Sequence, residues 1–196
     1  MAQTHYHVVS LDAVADGIFH VLVNGQPRPQ SRPVPLTKPK MVKTSHRNKK
    51  GLGSMTMVNP SKPLQVKMKK EIIRHMPANL PTPLFPPDAP LELQAIFKFS
   101  RPESHFARAP RCAENIKPEF RGLRFVTTVP DLDNCLKFIM DDPLRDTVYE
   151  DDRKVVKIEA VKVYDDHGEC RGSTEITVKH AHCDHLPRVD NVIHIE

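Results

Sequence analysis

The chain has 196 residues, a length for one domain with tails, and carries 29 Lys and Arg against 24 Asp and Glu, for a formal net charge of +5 and a pI near 9.0. No apolar run is long enough to cross a bilayer as a helix, which excludes a helical membrane span; the basic balance fits a polyanion partner, although many basic proteins bind none. Hydrophobic residues make up 39%, 19 prolines predict long irregular connections, and the four cysteines (112, 135, 170, 183) lack a paired C-x-x-C spacing, so free thiols in a soluble intracellular protein without a signal peptide are expected.

Residues 1–15 show no period and read as a loose tail or an extra edge segment. Residues 18–23 (IFHVLV) are a buried strand, closed by the turn signal Asn24-Gly25. Between 26 and 50 lie eight basic residues and no acid: Arg28, Arg32, Lys38, Lys40, Lys43, Arg47, Lys49 and Lys50. The prolines threaded through this arm exclude regular structure. It reads either as a basic arm along phosphates, with Arg28 and Arg32 making the fixed contacts, or as a solvated linker. A helix opens near Ser61, a candidate cap, with Leu64, Met68, Ile72 and Met76 as its apolar face and lysines outside. Residues 91–99 alternate as a half-buried strand, with Leu91, Leu93, Ala95, Phe97 and Phe99 on one face. Residues 100–130 form a long connection suited to folding over a nucleic acid. His105 within it is a tempting catalytic acid but reads better as a loop histidine. Two further strands are expected at 155–164 and 173–178, followed by a His- and Cys-bearing tail at 180–185 whose spacing fits no common closed zinc site.

The densest chemistry lies in 130–156, where eight carboxylates gather in an otherwise basic chain. On extended backbone Asp131 and Asp133 leave one face of a strand roughly 7 Å apart, a separation at which two oxygen donors can hold a hard divalent cation. A helix from Asn134 follows, capped by Asp133 or Asn134 and ended by Pro143, with Leu132, Leu136, Ile139 and Met140 as its apolar face. Lys137, one turn on, leans back over Asp133. Glu150, Asp151 and Asp152 directly precede the next strand, and they converge with the first pair if the two elements are neighbours. Converging aspartates with one lysine suit metal-dependent phosphodiester hydrolysis. The same acids in isolation read as solvated caps and turn residues.

P-D-L-D-N-x-x-K at 130–137, a short helix, and Y-E-D-D-x-x-V-V at 149–156 resemble the RusA family of Holliday junction endodeoxyribonucleases. Residues 25–33 (GQPRPQSRP) and 101–106 (RPESHF) are similar to further segments of that family. One departure is the turn at 143–147, PLRDT, where many members have Asn-Gly. Carried over, the resemblance implies Asp131, Asp133 and Asp152 as ligands of Mg²⁺ (or Mn²⁺), with Lys137 as the catalytic cation. It also implies a homodimer that nicks four-way DNA junctions at two symmetric positions. DNA contacts are expected from Arg28, Arg32, Lys38, Lys40, Arg101, Lys137 and Lys154. The expected fold is α/β, a mixed sheet of about four strands with two main helices. Its domain spans 18–179, including the arm at 26–53 and the loop at 100–130, with tails at 1–17 and 180–196. Two other classes stay open: a non-catalytic structure-selective or single-stranded DNA-binding protein, and a metal-dependent nuclease acting on flaps or RNA.

Overall fold

A computed structural model describes residues 7–13, 17–35 and 57–182. Its centre is a five-stranded sheet built from β1 (His7–Ala13), β2 (Ile18–Asn24), β5 (Leu91–Phe99), β6 (Val155–Tyr164) and β7 (Ser173–His180), in the order β1-β2-β7-β5-β6. Only β5 and β6 run parallel; every other neighbouring pair is antiparallel. The four expected strands are present, and β1 joins them at one edge. Residues 26–50 were expected to lack regular structure, but β3 (Val34–Pro35) pairs with β4 (Met57–Val58). Lys38 and Lys40 fall outside the described residues.

Alternation along the strands separates the two faces of the sheet. Phe19, Val21 and Val23 align with Val178, Ile176 and Thr174, which in turn align with Leu93, Ala95 and Phe97, and all are buried. Against this face pack α1 (Lys62–His75), through Met68 and Ile72, and α3 (Leu132–Asp141), through Cys135, Phe138 and Ile139. The opposite face is a charged ladder. Glu175 meets Lys98 at 3.0 Å and His20 at 3.3 Å, and Glu92 meets Lys157 at 3.2 Å and Lys179 at 3.6 Å. Burial of Glu92 opposes ionisation, but these cations and Gln94 outweigh it and hold the carboxyl below its usual range.

Ser61 stands at the N-cap of α1 without a side-chain cap bond, which corrects the expected role. Its hydroxyl accepts instead from the Ser31 amide at 2.8 Å, tying the proline-rich segment to the helix. Gln65 extends that tie. It is fully buried, and its amide donates to Gln30 Oε1 at 2.8 Å and to the Phe138 carbonyl at 3.0 Å, so one side chain joins α1, α3 and the arm. Gln65→Leu keeps the volume but strands both acceptors. It should lower unfolding free energy by about 1–3 kcal/mol, read by denaturant titration. A loss near zero would show that the three elements do not depend on this amide.

The connection at 100–130 is more ordered than expected. It contains two 3₁₀ turns and a short helix, α2 (Pro118–Arg121). The PLRDT turn places Asp146 at φ 58°, a left-handed conformation that aspartate tolerates better than most residues. Lys69 meets the Asp146 carboxylate at 3.6 Å and donates to the Arg145 carbonyl.

Candidate active site

The site begins with the way the chain is held before Asp131. Tyr164 donates its amide to the Arg124 carbonyl at 2.8 Å, and the Val126 amide donates to the Lys162 carbonyl at 3.2 Å, so 124–126 lies along the outer edge of β6. Lys162 shares its face of β6 with Ile158 and Ala160. Its ammonium donates to the carbonyls of Thr128 at 2.8 Å and Pro130 at 2.6 Å. A lysine continuing an apolar i, i+2 row was visible in the sequence, yet its role in holding the residue before Asp131 was not anticipated.

Asp131 is the N-cap of α3 on extended backbone, with φ −69° and ψ 146°, and makes no side-chain cap bond. The helix therefore starts two residues before the expected Asn134. Asp133 lies in its first turn rather than on a strand, so the two carboxylates flank a helix N-terminus instead of sharing a strand face. Both residues are exposed. Lys137 donates to Asp133 Oδ2 at 3.0 Å, one helical turn away as expected. That bond is the main reason the Asp133 carboxyl sits below its ordinary range, and it keeps the group ionised. Beneath them burial pushes the Cys135 thiol up to about 11, with Lys162 opposing and Asp133 and Asp131 reinforcing the shift. This thiol is a core residue, not a nucleophile.

The proline-rich segment crosses the same helix. The Gln30 amide donates to the Asn134 carbonyl at 2.8 Å, and its side chain donates to the Asp141 carboxylate. Gln26 anchors the other end of the segment by accepting from the Ser100 amide at 3.0 Å. A Cβ at Gly172, where φ is 88°, would come within 2.6 Å of Gln26 Oε1, so only glycine suits that approach. Arg28 and Arg32 flank Gln30 and are exposed, which brings two expected DNA contacts to the helix that carries Asp133 and Lys137.

The second acidic cluster departs from the simple alternation predicted for it. Asp151 and Asp152 are not successive strand residues, because a 3₁₀ turn, Asp152–Lys154, precedes β6. Asp151 caps that turn, accepting from the Arg153 amide at 3.0 Å and from its guanidinium at 3.0 Å. These bonds lower its carboxyl to about 2. Asp152 is exposed at the start of the turn, and Lys154 is half-buried at its end. The buried Tyr149 hydroxyl donates to the Met140 carbonyl at 3.3 Å, and burial, with Asp152 and Asp141 adding to it, raises its pKa. Among the described residues no three His, Cys, Asp or Glu side chains are grouped so as to hold a metal ion. The donor chemistry of Asp131 and Asp133 still fits a hard cation, since both carboxylates are exposed oxygen donors and Asp133 is held ionised.

Arg101 does not lie on a surface path, as the expected DNA contact requires. Its side chain is fully buried, with Nε donating to Asp166 at 2.6 Å, Nη2 donating to the Leu123 carbonyl at 2.7 Å and the guanidinium 4.7 Å from the centre of the Tyr164 ring. His105 stacks on Phe120 at 4.0 Å and meets the Tyr164 edge at 5.4 Å, so the RPESHF segment locks the long loop onto the end of β6.

Burial, reinforced by Arg101 and Lys117, holds the His105 pKa below the ordinary 6.5. The unfolded chain therefore takes up a proton that the folded chain refuses. This contribution to stability is complete above the unfolded value and declines as pH falls toward the folded one. Acidification from about pH 7.5 to about pH 5.5 should lower Tm, and His105→Phe, which keeps the ring stack, should flatten that dependence. Identical slopes in the two proteins would remove His105 from the acid response.

A family model described as Endodeoxyribonuclease RusA matches residues 29–179, most of the chain and all of the acidic residues described above. No curated protein matches the chain.

Proposed function

The chain belongs to the RusA endodeoxyribonuclease family, and from that premise we propose that it resolves four-way DNA junctions as a homodimer, by paired nicks that depend on Mg²⁺. The observation that best supports this reading is the N-terminal end of α3. There two exposed carboxylates, Asp131 and Asp133, flank a helix start, and the Lys137 ammonium lies 3.0 Å from one of them. Carboxylates beside a phosphate track repel it unless a cation intervenes, so such a pair argues against a purely binding role.

Asp131, Asp133 and Asp152 would hold the divalent cation, with Mn²⁺ as a substitute. The cation supplies Lewis acidity toward the phosphodiester and lowers the pKa of water. Lys137 orients Asp133 and offers its positive charge to the scissile phosphate. Arg28 and Arg32, fixed over α3 through Gln30, bind the flanking backbone phosphates, as do Lys38, Lys40 and Lys154. Two copies related by a two-fold axis match the near two-fold symmetry of a junction.

The test is incubation of the purified full chain with a synthetic four-way junction, a flap, a duplex and an RNA hairpin, with and without Mg²⁺. Symmetric paired nicks in the junction alone, absent without the ion, are expected. Cutting of the flap or the RNA in preference to the junction would overturn the substrate assignment. Binding without cutting in any metal would overturn the catalytic one.

A further inference from the structure

Nine large apolar side chains are exposed among the described residues, and five of them, Leu123, Phe125, Val129, Val156 and Ile158, lie on or beside β6. This strand is the edge of the sheet, paired with β5 on its inner side. On its outer side 124–126 covers only the upper end, through Tyr164 and Lys162. Backbone groups alternate along a strand, so the outward N–H and C=O of residues 162 and 164 fix the direction of the others. Ile158 and Ala160 turn theirs outward as well, while the register against β5 shifts at Val156. Among the described residues the outward groups of Ile158 and Ala160 have no backbone partner. An open edge flanked by exposed apolar side chains is a template for another strand.

The sequence of this edge selects its occupant. In an antiparallel pairing of β6 with itself, a two-fold axis at Ile158 sets Lys157 opposite Glu159 of the second copy and Glu159 opposite its Lys157. Val156 then faces Ala160, and Ile158 faces itself. Ile158 and Ala160 become hydrogen-bonded positions, as their outward groups require. An axis at Lys157 would oppose two lysines, and one at Glu159 would oppose two glutamates, both unfavourable. An axis at Ala160 leaves both charges facing valines, and one at Val156 leaves Lys157 facing Val155 and sets Glu159 opposite Arg153, which lies in the 3₁₀ turn and not on the strand. Lys157 already contacts Glu92 at 3.2 Å but remains half exposed, so its ammonium can serve both carboxylates.

We propose that the lower edge of β6 is the self-association surface of the protein, pairing with a second copy about Ile158 and joining two five-stranded sheets into one. The inference rests on the homodimer reading above and supplies its interface. Sedimentation of the full chain should give twice the 22.3 kDa chain mass. Ile158→Arg should give a monomer with an unchanged circular dichroism spectrum, while Ile73→Arg, on the exposed face of α1, should stay dimeric. Lys157→Glu alone and Glu159→Lys alone should each weaken the dimer, because each faces like charges in its own homodimer. Mixed in equal amounts, the two charge variants should form a heterodimer, since every cross-strand pair is then opposite in sign. This rescue cannot come from a change in the fold of either chain. If a single charge variant fails to fold, the Ile158→Arg result decides. If Ile158→Arg fails to fold, the mixing result decides. A monomeric wild type would overturn both this pairing and the homodimer reading. A dimeric wild type whose Ile158 and charge variants all remain dimers would overturn the pairing alone and assign the edge to another occupant, including the chain's own residues outside the described segments. Monomeric charge variants without rescue on mixing would overturn the register.

Discussion

Asp131→Asn, Asp133→Asn and Asp152→Asn should each abolish Mg²⁺-dependent cutting of a four-way junction, by about a thousandfold or more. Asparagine keeps the shape of aspartate but loses the charge that a hard cation requires. A bound ion contributes several kcal/mol of transition-state stabilisation, and each 1.36 kcal/mol is about tenfold in rate. In EDTA the same variants should bind the junction as well as wild type or better, since a carboxylate facing phosphate has been neutralised. Lys137→Ala should also lose cleavage, but without a gain in affinity, because it removes a cation. Asp151→Asn is the internal contrast. The asparagine oxygen can still accept from the Arg153 amide, and the lost ion pair involves a guanidinium that is 84% exposed, so most activity should remain. Parallel gel shifts in EDTA and cleavage in Mg²⁺ decide between outcomes. An inactive Asp151→Asn with an active Asp152→Asn would move the ligand by one residue. If Asp131→Asn and Asp133→Asn were inactive while Asp152→Asn cut normally, the site would be a two-carboxylate one on α3.

What could be read from the sequence followed the strength of each period. The strand at 91–99 and the strand ending at Tyr164 were legible because alternation runs through most of the first and the first half of the second, and the first helix because its apolar residues repeat every four positions. The start of α3 was misplaced because Leu132, between two aspartates, fits a strand pattern as well as a helix face. Backbone geometry resolves this by making Asp131 the cap. The loop at 100–130 hid its turns and α2 because they are too short to produce a period. Charge was the poorest guide. Lys137 met Asp133 as the i, i+4 spacing demands, whereas the partners of Lys162, the Thr128 and Pro130 carbonyls, are more than thirty residues away in sequence and follow no local pattern.

Arg101 carries the other large expected effect, and it tests the difference between a loop that binds DNA and a loop that is locked shut. A DNA-contacting arginine, when replaced by alanine, lowers affinity and the salt dependence of binding while leaving Tm alone. A buried arginine does the reverse. Its removal leaves Asp166 without its cation, the Leu123 carbonyl without its donor and the Tyr164 ring without its cover. Asp166 is 34% exposed, so water offsets part of the cost, and the loss of this pair together with the orphaned Leu123 carbonyl comes to about 2–3 kcal/mol, which for a chain of this size lowers Tm by roughly 4–12 °C. The loss should reach the active site indirectly, because the lock on Tyr164 fixes the run from Leu123 to Val126 that leads into the turn held by Lys162. Arg101→Ala should therefore show a large drop in Tm and reduced cleavage near that temperature, with junction affinity in EDTA at low temperature within about twofold of wild type. Arg101→Lys should rescue little, since a single ammonium cannot reproduce the guanidinium's fork and stacking together. A variant with unchanged Tm and weakened, less salt-sensitive binding would return Arg101 to the DNA interface and show that the loop opens in solution.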